Sequence, residues 1–179
     1  LDNEGTAIIN RDERFADYWL SSIDGPTVID FSCRSDAAVK ASNVVMHRHG
    51  TAFELVTPNF STTIRLPLLG MHNVSNVLAA IAIACALDLP QEAVTQGIAS
   101  VKTESRRLEL REGSKQACLI DDTYNANPEA VCAAVDVLSL FEGETVLVLG
   151  DMLELGKKAE QYHEEVGRYA KKQGVSHLI

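Results

Sequence analysis

Asp121-Asp122-Thr123-Tyr124-Asn125-Ala126-Asn127-Pro128 is the stretch on which the fold turns. The apolar run Ala117-Cys118-Leu119-Ile120 leads into it and reads as a buried strand. A helix pattern leaves it, with Asn127 as N-cap, Pro128 in the first helical position and Glu129 in the first turn. Val131, Ala134, Val135 and Leu138 then recur at helical spacing. Two carboxylates, a tyrosine and two asparagines therefore sit where a strand gives way to a helix. In α/β sheets ligands bind at that crevice, and a helix N-terminus there favours anions such as phosphate. Neighbouring strand residues point to opposite faces, so if both stay extended Asp121 and Asp122 cannot grip one ligand together and are expected to divide the work. One faces the crevice and the other orients the loop. A polar turn with a good cap is the plainer reading of any single residue here.

Downstream, Thr145-Val146-Leu147-Val148-Leu149 reads as a buried parallel strand. It ends in the loop Gly150–Gly156, and a helix follows from about Lys157 to Gln173 with Tyr162, Val166, Tyr169 and Ala170 on its apolar side. His163 is read as a helix residue near that loop. Upstream, Leu108-Glu109-Leu110-Arg111 opens the new sheet after a charged linker, Lys102 to Arg107. Strand–helix–strand–helix–strand is the doubly wound α/β pattern. No Gly-x-Gly-x-x-Gly follows any strand, so a dinucleotide site is not supported.

The part before the linker begins with a strand at Thr6–Asn10 and a short helix from Asp12 to Leu20, whose apolar positions are Phe15, Trp19 and Leu20. A second strand covers Val28–Phe31, and antiparallel hairpins fill residues 37–66. His47 and His49 lack a third ligand and read as surface residues rather than a metal pair. Leu68 to Asn76 leads into a helix with an apolar stripe of Val74, Val77, Leu78, Ile81, Ala84 and Cys85. His72, Asn73 and Asn76 fall off that stripe and share a helix-end surface. Asn donates and accepts at once, which suits a purine edge, and capping alone would explain only Asn73. A second helix runs from Gln91 to Val101, with Val94, Ile98 and Val101 inward.

The 179 residues carry a formal net charge of −9, which argues against a general binder of nucleic acid or anionic membrane but leaves room for ATP. Apolar runs are too short to span a bilayer. Leu1-Asp2-Asn3-Glu4 is acidic and polar, unlike a signal peptide. The four cysteines have no Cys-x-x-Cys spacing and read as free thiols of a cytosolic protein. The ending Val175–Ile179 resembles a strand just beginning, so a longer parent protein is expected.

Three blocks together resemble the Mur ligase family. They are Gly70-Met71-His72-Asn73-Val74-x-Asn76-x-Leu78-Ala79-Ala80, Asp121-Asp122-x-Tyr124-Asn125-Ala126-Asn127-Pro128, and Leu149-Gly150-Asp151-Met152-x-Glu154-Leu155-Gly156 with the later His163 and Gly167. The last two are similar to the branch that joins D-alanyl-D-alanine to UDP-N-acetylmuramoyl-tripeptide in peptidoglycan synthesis. The resemblance is strongest from Gly70 onward. It implies that residues 1–104 are the later part of a central ATP-binding domain and residues 105–179 the first part of a Rossmann-like C-terminal domain. It implies a cytoplasmic ligase using ATP and Mg²⁺ through an acyl phosphate. His72, Asn73 and Asn76 would hold the adenine end, Arg107 the phosphates, Asp122 the ribose with Tyr124 beside the nucleotide, and Asn125 and Asn127 the dipeptide side. The family carries Gly before its hinge arginine, and Arg106 stands in that place here, so the hinge arginine is Arg106 or Arg107. No Gly-Lys-Thr or Gly-Lys-Ser occurs in the chain. The resemblance therefore places the P-loop, the Mg²⁺ carboxylate and a modified lysine before Leu1. No catalytic or metal-ligating residue is assigned within the chain, and the chain alone is expected to lack ligase activity. The alternatives are a related amide ligase of the folylpolyglutamate synthetase kind, against which the Tyr124–Asn127 block counts, and a non-catalytic nucleotide-binding module.

Overall fold

The structure is a computed structural model that describes residues 5–179; the acidic start read at Leu1–Glu4 lies outside them. The chain divides into two compact units, the first up to Val101 and the second Lys102–Ile179. No helix among the described residues is long and apolar enough to cross a membrane.

The first unit is a five-stranded mixed sheet in the order β1-β2-β3-β4-β5. β1 (Thr6–Asn10) and β2 (Thr27–Ser32) run parallel, joined through α1 (Ala16–Ser22). β2 meets β3 (Val39–His47) in a short parallel register, and β3, β4 (Gly50–Val56) and β5 (Ser61–Leu66) continue as antiparallel hairpins. The β3–β4 turn needs Gly50: its φ is +151°, and a Cβ there would lie 2.4 Å from the Leu66 carbonyl oxygen. α2 (Met71–Ala86) crosses the sheet and α3 (Gln91–Ala99) lies by β5. The period-2 strand residues Phe53, Leu55, Ile64 and Leu66 bury against the period-3.6 stripe Val74, Leu78, Ile81 and Cys85. Each large side chain so buried contributes about 1.5–3 kcal/mol.

Two expectations change here. α1 starts later than Asp12, and the aromatic positions read into it are not core: the Phe15 and Trp19 rings lie 6.2 Å apart, tilted by 49°, and stay 48% and 39% exposed, while Ala16 is buried. α3 ends at Ala99, which leaves Val101 exposed.

The second unit begins with the antiparallel pair β6 (Glu109–Glu112) and β7 (Cys118–Asp121), joined by a single helical turn at Ser114–Gln116. α4 (Pro128–Leu138) follows, then β8 (Val146–Leu147), α5 (Ala159–Lys172) and β9 (His177–Leu178), which pairs parallel with β8. The two helices pack through Val131, Val135, Val166 and Ala170, with Met152 from the intervening loop. A polar clamp adds to that packing. Tyr169 Oη donates to Asp136 Oδ1 at 2.5 Å, and Gln173 Nε2 donates to the same oxygen at 2.9 Å. The bond to Asp136 is the main reason the Tyr169 phenol is raised above its ordinary pKa. Glu160 in the first turn of α5 and Lys171 and Lys172 in its last match the helix dipole.

β7 and β8 are not the buried strands their composition suggests. Leu119 in β7 is 53% and Val146 in β8 47% exposed, and β8 stops before Val148, which is 74% exposed. The reason is pairing: β7 bonds only to β6 and β8 only to β9, so among the described residues the second unit holds two short two-stranded pieces. An apolar strand is buried only when neighbours cover it, which its own sequence cannot arrange. Leu108 also stands outside the strand it was expected to open. It is buried, but its φ is +52°.

Candidate functional site

The loop after β7 is organised by its own carboxylates. Asp121 Oδ1 accepts from Thr123 N at 3.2 Å and Thr123 Oγ1 at 2.7 Å, an Asx-type turn that stops the strand. Its other oxygen lies 3.2 Å from Arg111 Nη2, which also pairs with Glu109 at 2.8 Å. That arginine, first through its hydrogen bond and then the Arg106 backbone N–H, holds the Glu109 carboxyl below its ordinary pKa. Asp122, the residue after β7, is tied to the linker through Oδ1, which accepts from Leu108 N at 3.0 Å, and it borders the same cavity as Asp121. Both aspartates thus orient backbone. The expected division, with one aspartate reserved for the crevice, is blurred.

The bond from Leu108 ties the loop to the linker. Arg107 N donates to Glu104 O at 3.2 Å, Arg106 N to Glu109 Oε2 at 3.1 Å, and Tyr124 N to Arg106 O at 3.1 Å. Arg106 and Leu108 both sit in the left-handed region, with φ of +63° and +52°. Such strain in non-glycine residues persists only where neighbours over-determine it, and here bonds to the 122–124 loop do so. The Arg107 guanidinium carbon lies 4.0 Å above the centre of the Tyr124 ring. Arg107, Asp122 and Tyr124 therefore come together within the second unit.

Asn125 and Asn127 do not. Asn125 borders a cavity of about 400 Å³ lined by Asp121, Asp122 and Thr123 with β7, α4 and β8. Asn127 borders a groove on another side of α4, with Glu129, Glu154, Tyr162 and Tyr169. Its side chain is committed to capping: Asn127 Oδ1 accepts from Ala130 N at 2.8 Å, as Asn-Pro-Glu predicts.

In the first unit, His72, Asn73 and Asn76 share the opening turns of α2. His72 and Asn76 are exposed and Asn73 is half-buried. The N-cap is Gly70, with φ of +90°, so Asn73 is no cap. Its Nδ2 instead donates to Leu69 O at 2.7 Å. No acidic residue stands in this first turn, which keeps the helix N-terminus attractive to anions.

Two arrangements were only faintly legible in sequence. Asp12 accepts from Ser32 Oγ at 2.6 Å and Cys33 N at 2.7 Å, and Ser32 is fully buried. This network joins the C-terminal ends of the parallel strands β1 and β2, where open α/β sheets bind ligands. Burial, then the Asp12 charge, pushes the Cys33 thiol up to about 11. His163 Nε2 accepts from Met152 N at 2.9 Å, so its proton is on Nδ1, which faces Ala159 O at 2.8 Å. This imidazole pins the Gly150–Gly156 loop to α5. Among the described residues no three His, Cys, Asp or Glu side chains form a metal-holding group.

Against known proteins, residues 1–84 match the Mur ligase middle domain and residues 106–179 the Mur ligase glutamate ligase domain. The chain is 38% identical, over its whole length, to 40% of the UDP-N-acetylmuramoyl-tripeptide–D-alanyl-D-alanine ligase of Escherichia coli (strain K12). It is 36% identical over 93% of its length to 36% of the ligase of the same name from Buchnera aphidicola subsp. Baizongia pistaciae. The solved MurF of Acinetobacter baumannii superposes with a TM-score of 0.91 and 32% identity, covering 98% of this chain and 38% of that one. A MurF ligase of Thermotoga maritima, solved in complex with ADP, shares the fold with a TM-score of 0.80 at 23% identity over 94% of this chain and 38% of that one. The chain thus spans well under half the length of these relatives.

Proposed function

The chain belongs to the Mur ligase family, and from that premise we propose that it is part of an ATP-dependent ligase joining D-alanyl-D-alanine to UDP-N-acetylmuramoyl-tripeptide. The observation that carries the reading is the lacing of the Glu104–Leu108 turn to the Asp122–Tyr124 loop, which gives an arginine a fixed seat beside an acidic loop. A guanidinium so held suits a phosphate.

In this reaction the terminal phosphoryl group of ATP passes to a carboxylate oxygen of the tripeptide, and ADP leaves. The amine of D-alanyl-D-alanine attacks the carbonyl carbon of the acyl phosphate. The C–O bond to phosphate breaks, inorganic phosphate leaves, and the amine loses its proton as the amide forms. In this reading His72, Asn73 and Asn76 take the adenine end, Asp122 the ribose and Arg107 the phosphates. Asn125 and Asn127 stand on the dipeptide side, Asn125 through its side chain and Asn127 by holding α4 in place. Mg²⁺, when bound, supplies charge neutralisation on the phosphoryl oxygens. No group of three or more His, Cys, Asp or Glu side chains among the described residues is arranged to hold it, and in this reading its protein ligands lie outside them.

The test is nucleotide titration and D-alanyl-D-alanine-dependent phosphate release in the complete enzyme, with Asn76→Ala and Asp122→Ala. Weaker ATP binding in both variants is expected. Unchanged affinity in both would remove the assignment.

A further inference from the structure

We propose that Tyr124 is a positioning residue for Arg107, the arginine assigned above to the nucleotide phosphates. The proposal rests on the nucleotide reading above and says how its cationic contact is built. The two arginines are adjacent but are used differently. Arg106 is spent on backbone: its φ of +63° turns the chain, its N–H donates to Glu109 Oε2, and its carbonyl accepts from Tyr124. Arg107 is spent on its side chain, whose guanidinium carbon lies 4.0 Å from the centre of the Tyr124 ring, over its face.

A cation–π contact leaves a guanidinium's strongest property intact. Its N–H groups point outward in its own plane, whereas the ring covers only a face. A phosphate approaching edge-on can then be met by two parallel N–H groups. The long arginine side chain would otherwise lose rotamer freedom on gripping a ligand, and the ring has removed much of that freedom beforehand. The main chain is held as well. Leu108, after Arg107, bonds to Asp122, and Arg106, before it, accepts the Tyr124 N–H, so both neighbours of Arg107 are tied to the loop that carries the ring. Tyr124 is 61% exposed, so replacing it empties no core. The ligand class is the polyphosphate of a nucleoside di- or triphosphate.

The experiment is an NMR titration of the complete enzyme, selectively labelled at arginine, with tripolyphosphate, ADP and adenosine, following the Arg107 side-chain Nε–H. In the unliganded protein this signal is expected upfield through the Tyr124 ring current. The shift is retained in Tyr124→Phe and lost in Tyr124→Leu. Tripolyphosphate and ADP are expected to move it. Tyr124→Leu weakens both ligands about 2- to 10-fold, the size of a partly exposed cation–π contact plus side-chain ordering. Tyr124→Phe restores them, Arg107→Ala loses at least as much, and adenosine binding is unchanged throughout. If Arg107→Ala weakens ADP but Tyr124→Leu does not, the positioning role is wrong and the nucleotide reading stands. Weakened adenosine binding in Tyr124→Leu overturns the proposal too, because the ring then touches the nucleoside directly. A loss in Arg106→Ala without one in Arg107→Ala assigns the wrong arginine. If neither polyphosphate moves the Arg107 signal, the nucleotide reading of this loop fails together with the inference.

Discussion

Arg106 offers a sharp test of how the linker turn is built. Its φ of +63° places a side chain in a region that disfavours Cβ. That conformation costs an L-residue about 1–2 kcal/mol relative to right-handed backbone, and glycine escapes the penalty. Glycine also enlarges the entropy of the unfolded chain by about 0.4–1 kcal/mol, which opposes the gain. Arg106→Gly and Arg106→Ala remove the same side chain, so their difference isolates the backbone term. Glycine should be the more stable by roughly 0.5–1 kcal/mol. For a unit of this size that is a rise of about 2–8 °C in the midpoint of its transition. Leu108 has nearly the same φ, +52°, but its side chain is only 4% exposed. Leu108→Gly should therefore lose stability, because emptying a buried leucine site costs about 2–5 kcal/mol and outweighs the strain relieved. Calorimetry of the three variants decides the matter. Equal stability of the glycine and alanine variants at 106, or a gain in Leu108→Gly, would refute the view that strain at these residues is held in place by the 122–124 loop.

Asn127→Ala removes the α4 cap and should cost about 1 kcal/mol, read by chemical denaturation, while Asn127→Asp retains most of it. Cys33 should alkylate slowly at pH 8 compared with exposed Cys118 in a mass-spectrometric time course. A pKa moved from 9.0 to about 11 leaves about 100-fold less thiolate, and the greater nucleophilicity of a more basic thiolate recovers about 10-fold, for a net slowing of about 10-fold. Equal rates would contradict the half-buried environment beside Asp12. Glu109, lowered by Arg111 and the Arg106 N–H, stabilises the turn above its unfolded value of 4.5, and that contribution disappears as pH falls through the folded value. Carboxyl NMR should find it titrating below a free glutamate, with Arg111→Ala moving it back up.

Local physics made much of this protein legible. Periodicity marked α2, and Val74, Val77, Leu78, Ile81 and Cys85 are buried as a 3.6-residue stripe demands. Asn127-Pro128-Glu129 marked the start of α4 through chemistry confined to one helical turn. The three blocks around Gly70, Asp121 and Leu149 carried the family. Tertiary structure alone decided which strands acquire neighbours, and so left Leu119 and Val146 exposed on elements whose composition suggests burial. It also brought Asp12 to Ser32, twenty residues apart, and drove Arg106 and Leu108 into left-handed backbone that neither residue type favours. The division has one cause. Caps and helical stripes are settled between residues a few positions apart, whereas sheet pairing, backbone strain and the seating of Arg107 on Tyr124 depend on which distant segment arrives alongside.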